Sequence, residues 1–155
     1  MTFLSQVNFA PQSMKTKIAI ALEALLNEVS ILKYVAFGPV KLYSHDFHED
    51  ELPGAQFITV GEQIVHERTR AKRTWSLSLE LVDKSDENGY ISQRDMWNLE
   101  YQISRKIWAN PNLGIPGVVH CVYLGNASDL HLIEPFYLLR MDFDVVYYEH
   151  LVSEC

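Results

Sequence analysis

Two stretches of this chain alternate apolar and polar residues one by one. That period of two belongs to an extended strand with one buried face. In the first, Trp75, Leu77, Leu79 and Leu81 alternate with Thr74, Ser76, Ser78 and Glu80. In the second, Phe136 to Tyr148, the apolar series Tyr137, Leu139, Met141, Phe143, Val145 and Tyr147 runs opposite Arg140, Asp142 and Asp144. Strands of this kind need a cover on the apolar side and leave the other side wet or facing a partner.

Two segments have the helical period that such a cover requires. From Ser13 to Glu28, Met14, Ile18, Ala21, Leu22 and Leu25 recur at three- and four-residue spacings, with Ser13 as the expected N-cap. From Ser92 to about Asn110, Met96, Leu99, Ile103 and Ile107 form a stripe that Trp97, Tyr101 and Trp108 are expected to widen. Ser92 and Asp95 resemble a capping box, and Arg105 and Lys106 suit the helix C-terminus. Asn110-Pro111 and the glycines and prolines after it stop the helix.

Shorter strands are expected in Ile31–Tyr43, broken at Gly38-Pro39, in Gln56–Val65 and in Val118–Leu124, with a turn over Gly125–Asp129. Gly61 marks a bulge or bend. Polar loops are expected at 44–55 and 83–89. The order helix, two or three strands, helix, two strands lacks regular crossover helices. It predicts an α+β fold, a mostly antiparallel β-sheet with two main helices packed on one face. With 155 residues the expectation is a single domain, 1–155, comprising an arm at 1–12, the α+β body at 13–150 and a loose tail at 151–155.

Composition narrows the function. The chain is 48% hydrophobic and carries a net charge of −7, which fits neither a disordered protein nor a dedicated nucleic-acid reader. Two distant cysteines, Cys121 and Cys155, make no disulfide framework. Met1–Ala10 lack the layout of a secretory signal, and no apolar run is long enough for a bilayer, so no membrane partner is expected. The aromatic load of eight Tyr, seven Phe and three Trp suits either a large-residue core or a protein–protein interface.

No phosphate loop, dinucleotide fingerprint, nucleophile elbow or zinc-protease motif occurs. The nearest metal-like string is His45-Asp46-Phe47-His48-Glu49-Asp50-Glu51. Its two imidazoles and four carboxylates read as a solvated acidic loop or, alternatively, as the ligands of a small metal-dependent enzyme. His120 and Cys121 are adjacent in a strand and therefore face opposite ways, which rules them out as a nucleophile pair. Asp142 and Asp144 share a face with Arg140, which predicts a salt-bridged outer sheet face. The one basic concentration, Arg68, Arg70, Lys72 and Arg73, has three readings: a solvated hairpin edge, an electrostatic docking strip for another copy or an acidic partner, or a DNA contact.

The layout resembles the tail-terminator (tail-completion) proteins of long-tailed bacteriophages. The resemblance spans residues 13–150. It rests on an N-terminal helix ending ALEALLNEVS, the extended FGPVKLYSHDF, two strands around a charged turn in ELPGAQFITVGEQIVHERTRAKRTWSLSLELVD, the helix SQRDMWNLEYQISRKIWANPNLG, and VVHCVYLG before a long strand closing in FDVVYYEH. The family implies a virion protein, assembled in the host cytoplasm, that forms a self-associated ring of six subunits. The ring ends polymerisation of the tail tube and offers a surface to the head-side connector. It implies no cofactor, no catalysis, and DNA that only passes through the lumen. Other neck, head-completion or tail-tube subunits share those expectations in part. By this analogy the strip Arg68–Arg73 belongs to a ring or tube contact.

Overall fold

The computed structural model describes residues 12–38, 41, 46–84, 90–128 and 136–150. Helix α1 is Met14–Asn27, and the Ser13 side chain caps it by accepting from the Thr16 N–H at 3.1 Å. Strand β1 (Tyr34–Phe37) follows, then a 3-10 turn at Glu49–Glu51, strands β2 (Gly54–His66) and β3 (Arg70–Lys84), helix α2 (Tyr90–Trp108), and strands β4 (Val118–Ser128) and β5 (Phe136–His150). They form one five-stranded sheet in the order β1-β2-β3-β5-β4. Only the β1–β2 pair is parallel, so the fold is α+β with a mostly antiparallel sheet.

The alternation seen in the sequence is what orients the sheet. Leu77 lies opposite Phe143, Leu79 opposite Met141 and Leu81 opposite Leu139 in the β3–β5 ladder, and all six are buried. Ile18, Leu22 and Leu26 of α1 and Met96, Leu99, Ile103 and Ile107 of α2 pack onto this same face in one cluster. Aromatic rings add offset contacts within it, such as Phe37 on Phe57 at 5.2 Å between centroids.

Among the described residues, the opposite face is covered only at one end. There Phe47 and Leu52 lie on Val82, flanked by Tyr34, Phe136 and Leu138. A Cβ on Gly54 would stand 2.6 Å from the Phe47 ring, so that close approach admits only glycine. Gln56, buried on this face, receives the Lys41 N–H at 3.0 Å and gives its amide back to the Lys41 carbonyl at 2.5 Å.

Several boundaries and contacts differ from the sequence expectation. Helix α2 begins at Tyr90, so Ser92 lies inside it and is not its N-cap. Strand β4 continues through Gly125 to Ser128 where a turn was expected, with a register shift between Tyr123 and Gly125 absorbing the glycine. Gly61 does follow a bulge, between Thr59 and Gly61. Trp97, Tyr101 and Trp108 do not widen the buried stripe; they are 50%, 58% and 86% exposed. The sheet face is already filled by the Met96–Ile107 stripe, and Tyr101 and Trp108 lie at its border, beside the edge of β4. The expected second extended piece after Gly38, the arm at 1–12 apart from Gln12, and the tail at 151–155 lie outside the described residues, except for Lys41.

Replacing Leu79, which is fully buried, by Ala should cost about 2–5 kcal/mol in urea unfolding, whereas the exposed Gln63→Ala should stay within about 0.5 kcal/mol.

Candidate interaction surfaces

The titratable groups of this chain are engaged mainly in holding the fold. His48 begins the 3-10 turn, and its backbone N–H donates to the Glu51 carboxylate at 2.9 Å. Lys41 pairs with Glu51 at 3.1 Å and Lys84 with Glu49 at 2.7 Å. The hydrogen bond from His48 holds the Glu51 carboxyl below its ordinary range, and that from Lys84 does the same for Glu49. His45 lies outside the described residues, and among the described residues no group of three or more His, Cys, Asp and Glu side chains could hold a metal ion.

Cys121 is buried against the helix side of β4, and burial, with Asp144 nearby, pushes its thiol up to about 12. Such a thiol carries almost no thiolate at neutral pH. On the outer face, Ser78 donates to Asp142 at 2.6 Å, Ser76 donates to Asp144 at 2.7 Å, and Arg140 pairs with Asp142 at 3.1 Å. Of the salt-bridged outer face that the sequence predicted, the Arg140–Asp142 pair forms, while Asp144 is held by the Ser76 hydroxyl.

The basic strip divides by the parity of β3. Arg73 shares the helix-covered side with Trp75 and is half-buried. It donates to Glu62 at 2.9 Å and to Glu149 at 3.2 Å. Glu62 also pairs with Lys15 at the start of α1 and accepts from the Tyr147 hydroxyl at 3.3 Å. One carboxylate thus ties α1 to β2, β3 and β5. Burial alone would raise the Glu62 pKa, but the bonds from Lys15 and Arg73 outweigh it and hold it below the ordinary value. Arg70 is engaged with Glu67 at 2.5 Å and lies 3.9 Å from the centre of the Tyr148 ring. Arg68 and Lys72 are exposed and have no carboxylate partner among the described residues.

Six of the exposed large apolar residues lie on the two flanking strands, while Ile20, Ile31, Trp97, Tyr101 and Trp108 lie on the helices or after α1. On the β2 flank, β1 covers only Gly54–Phe57, and Val60, Ile64 and Val65 are exposed beyond it. On the β4 flank, Val119, Val122 and Leu124 are exposed. Beside them the last turns of α2 and the edge of β4 enclose an open groove of about 870 Å³, lined by Tyr101, Arg105, Trp108, His120, Val122 and Tyr123. Tyr123 anchors the wall of this groove by donating to Glu100 at 2.6 Å. The Glu62 hub and the flank residues were not singled out in the sequence. Glu62 is an isolated acid in an apolar strand, and its role depends on Lys15 and Arg73 reaching it from other elements.

No family model matches the chain, and no curated protein matches it. Among solved structures it is similar to a chain of the "Virion of native gene transfer agent (GTA) particle", with 11% identity and a TM-score of 0.48 over 83% of this chain and 84% of that one. At that identity and TM-score the likeness carries no assignment of function. No helix among the described residues is long and apolar enough to cross a membrane.

Glu62→Gln should lower stability by about 1–3 kcal/mol at pH 7, because it leaves Lys15 and Arg73 short of a charged acceptor. The folded pKa of Glu62 is depressed, so its contribution is present above the unfolded value and is lost as pH falls through the folded one. The difference in urea unfolding between the two proteins should therefore shrink as the pH falls below about 4.3, the unfolded carboxyl's value, and vanish below the folded one.

Proposed function

We propose that this chain is a structural assembly protein of a phage-type virion: a tail terminator whose copies close into a ring, six to a ring, on the end of the tail tube. The observation that carries the reading is the pair of apolar flanks on one sheet, Val60, Ile64 and Val65 at one side and Val122, Leu124 and Trp108 at the other. Apolar side chains gathered at two separate sites on a charged, water-facing chain suit contacts with other protein surfaces. The whole-chain resemblance in layout to tail terminators supports the same reading.

In this account the ring stops tube growth and presents a surface to the head-side connector. It needs no cofactor and performs no catalysis. The net charge of −7 keeps the lumen from gripping DNA as it passes. Of the basic strip, Arg68 and Lys72 are the cations available to an acidic tube or neck partner. Arg70 and Arg73 serve mainly within the subunit.

Native mass spectrometry over a concentration series tests this. The subunit mass is 17.9 kDa, so a closed ring of six has a mass of about 107 kDa, and the ring should be a discrete species. Long polymers would instead favour a tube subunit, and a monomer at every concentration, with or without tail tubes, would contradict the proposal. Arg68→Glu with Lys72→Glu should leave the unfolding midpoint nearly unchanged and weaken attachment of the ring to tail tubes in a sedimentation assay. Arg73→Glu should instead destabilise the subunit itself.

A further inference from the structure

Among the described residues, each flank of the sheet ends in a strand with backbone donors and acceptors that no other strand pairs. On one side β1 pairs with only Gly54–Phe57, leaving Ile58–His66 of β2 with no strand on its outer flank among the described residues. On the other side β4 is the last strand. Its beginning is capped, because the Cys121 N–H donates to the Pro111 carbonyl at 2.7 Å. From Val122 to Ala127 no such cap is present among the described residues.

Isolated sheets protect such edges with lysine, proline, inward-pointing charge or bulges. Here each edge has a bulge and β2 has the inward Glu62, but neither carries a lysine or a proline. Residues 122–128 contain no charged residue and no proline. Residues 58–66 contain one acid, Glu62, and it is drawn onto the helix side by Lys15 and Arg73. Both edges carry exposed apolar side chains, Val60, Ile64 and Val65 on one and Val122 and Leu124 on the other.

The strand directions are also compatible. The β2–β3, β3–β5 and β5–β4 pairs are all antiparallel, so β2 and β5 run one way and β3 and β4 the other. A β4 edge laid against the β2 edge of a second copy therefore continues the antiparallel alternation. The two open stretches are of similar length. Each also carries a register shift, at Val60 and at Leu124, and bulged strands bend.

We infer that residues 122–127 of one copy pair with residues 58–66 of the next, extending the sheet from subunit to subunit, with Ile64, on the helix-covered side of the incoming β2 edge, facing the groove beside Trp108. This deepens the ring reading above and rests on it. The contact joins two different surfaces, so it is head-to-tail and propagates around a ring.

Two edge-blocked variants test it, Val60→Lys with Val65→Lys on β2 and Val122→Lys with Leu124→Lys on β4. All four sites are exposed, so folding should be retained, as circular dichroism will check. Each variant alone should stay monomeric at concentrations where the natural chain assembles. A one-to-one mixture should form a dimer, about twice the 17.9 kDa subunit, because one intact β4 edge meets one intact β2 edge and the chain then stops. Rings that form despite both blocks overturn this contact and leave the ring reading standing. A mixture that stays monomeric also overturns it. Open filaments of the natural chain that both blocks abolish keep the contact and overturn ring closure.

Discussion

Leu77, Leu79 and Leu81 on β3 face Phe143, Met141 and Leu139 on β5, and the rest of the molecule is arranged around that buried seam. The ladder runs without interruption from Arg70–His150 to Lys84–Phe136. Once its apolar side is fixed, both helices must lie on that side, because their own stripes have no other surface to bury. The loop around Phe47 then closes one end of the opposite face. Among the described residues, what remains uncovered is the rest of that opposite face, the far half of β2 and the outer edge of β4.

Much of this was legible in the residues because it follows from periodicity. The alternation of β3 and β5, the Met96–Ile107 stripe, the Ser13 cap and the bulge before Gly61 all reflect local rules. The misjudged features depend on what surrounds an element. Trp97, Tyr101 and Trp108 lie near the α2 stripe, but the sheet beneath is only wide enough for its centre. Gly125 looks like a turn residue, yet the long β5 template holds it in strand β4 as a register shift.

The basic strip shows the same division. Its position in a strand already separates Arg73, on the side of Trp75, from Lys72, on the side of Ser76 and Ser78. What parity does not disclose is the carboxylate that each one meets. Glu62 lies eleven residues before Arg73 and across the hairpin, and Lys15 comes from another element. The acidic loop also acts locally, since Glu49 and Glu51 bind lysines that hold the segment against the sheet.

On the proposed contact, copies of this chain meet at the two sheet edges left open among the described residues. Hydrogen exchange measured on dilute and on concentrated protein reads those edges directly, because amides paired across a contact exchange more slowly. Peptides covering 58–66 and 122–128 should gain protection on assembly while the β3–β5 seam, already protected, changes little. Assembly that leaves both edges exchanging as in the monomer, with protection gained elsewhere, would contradict the proposed contact.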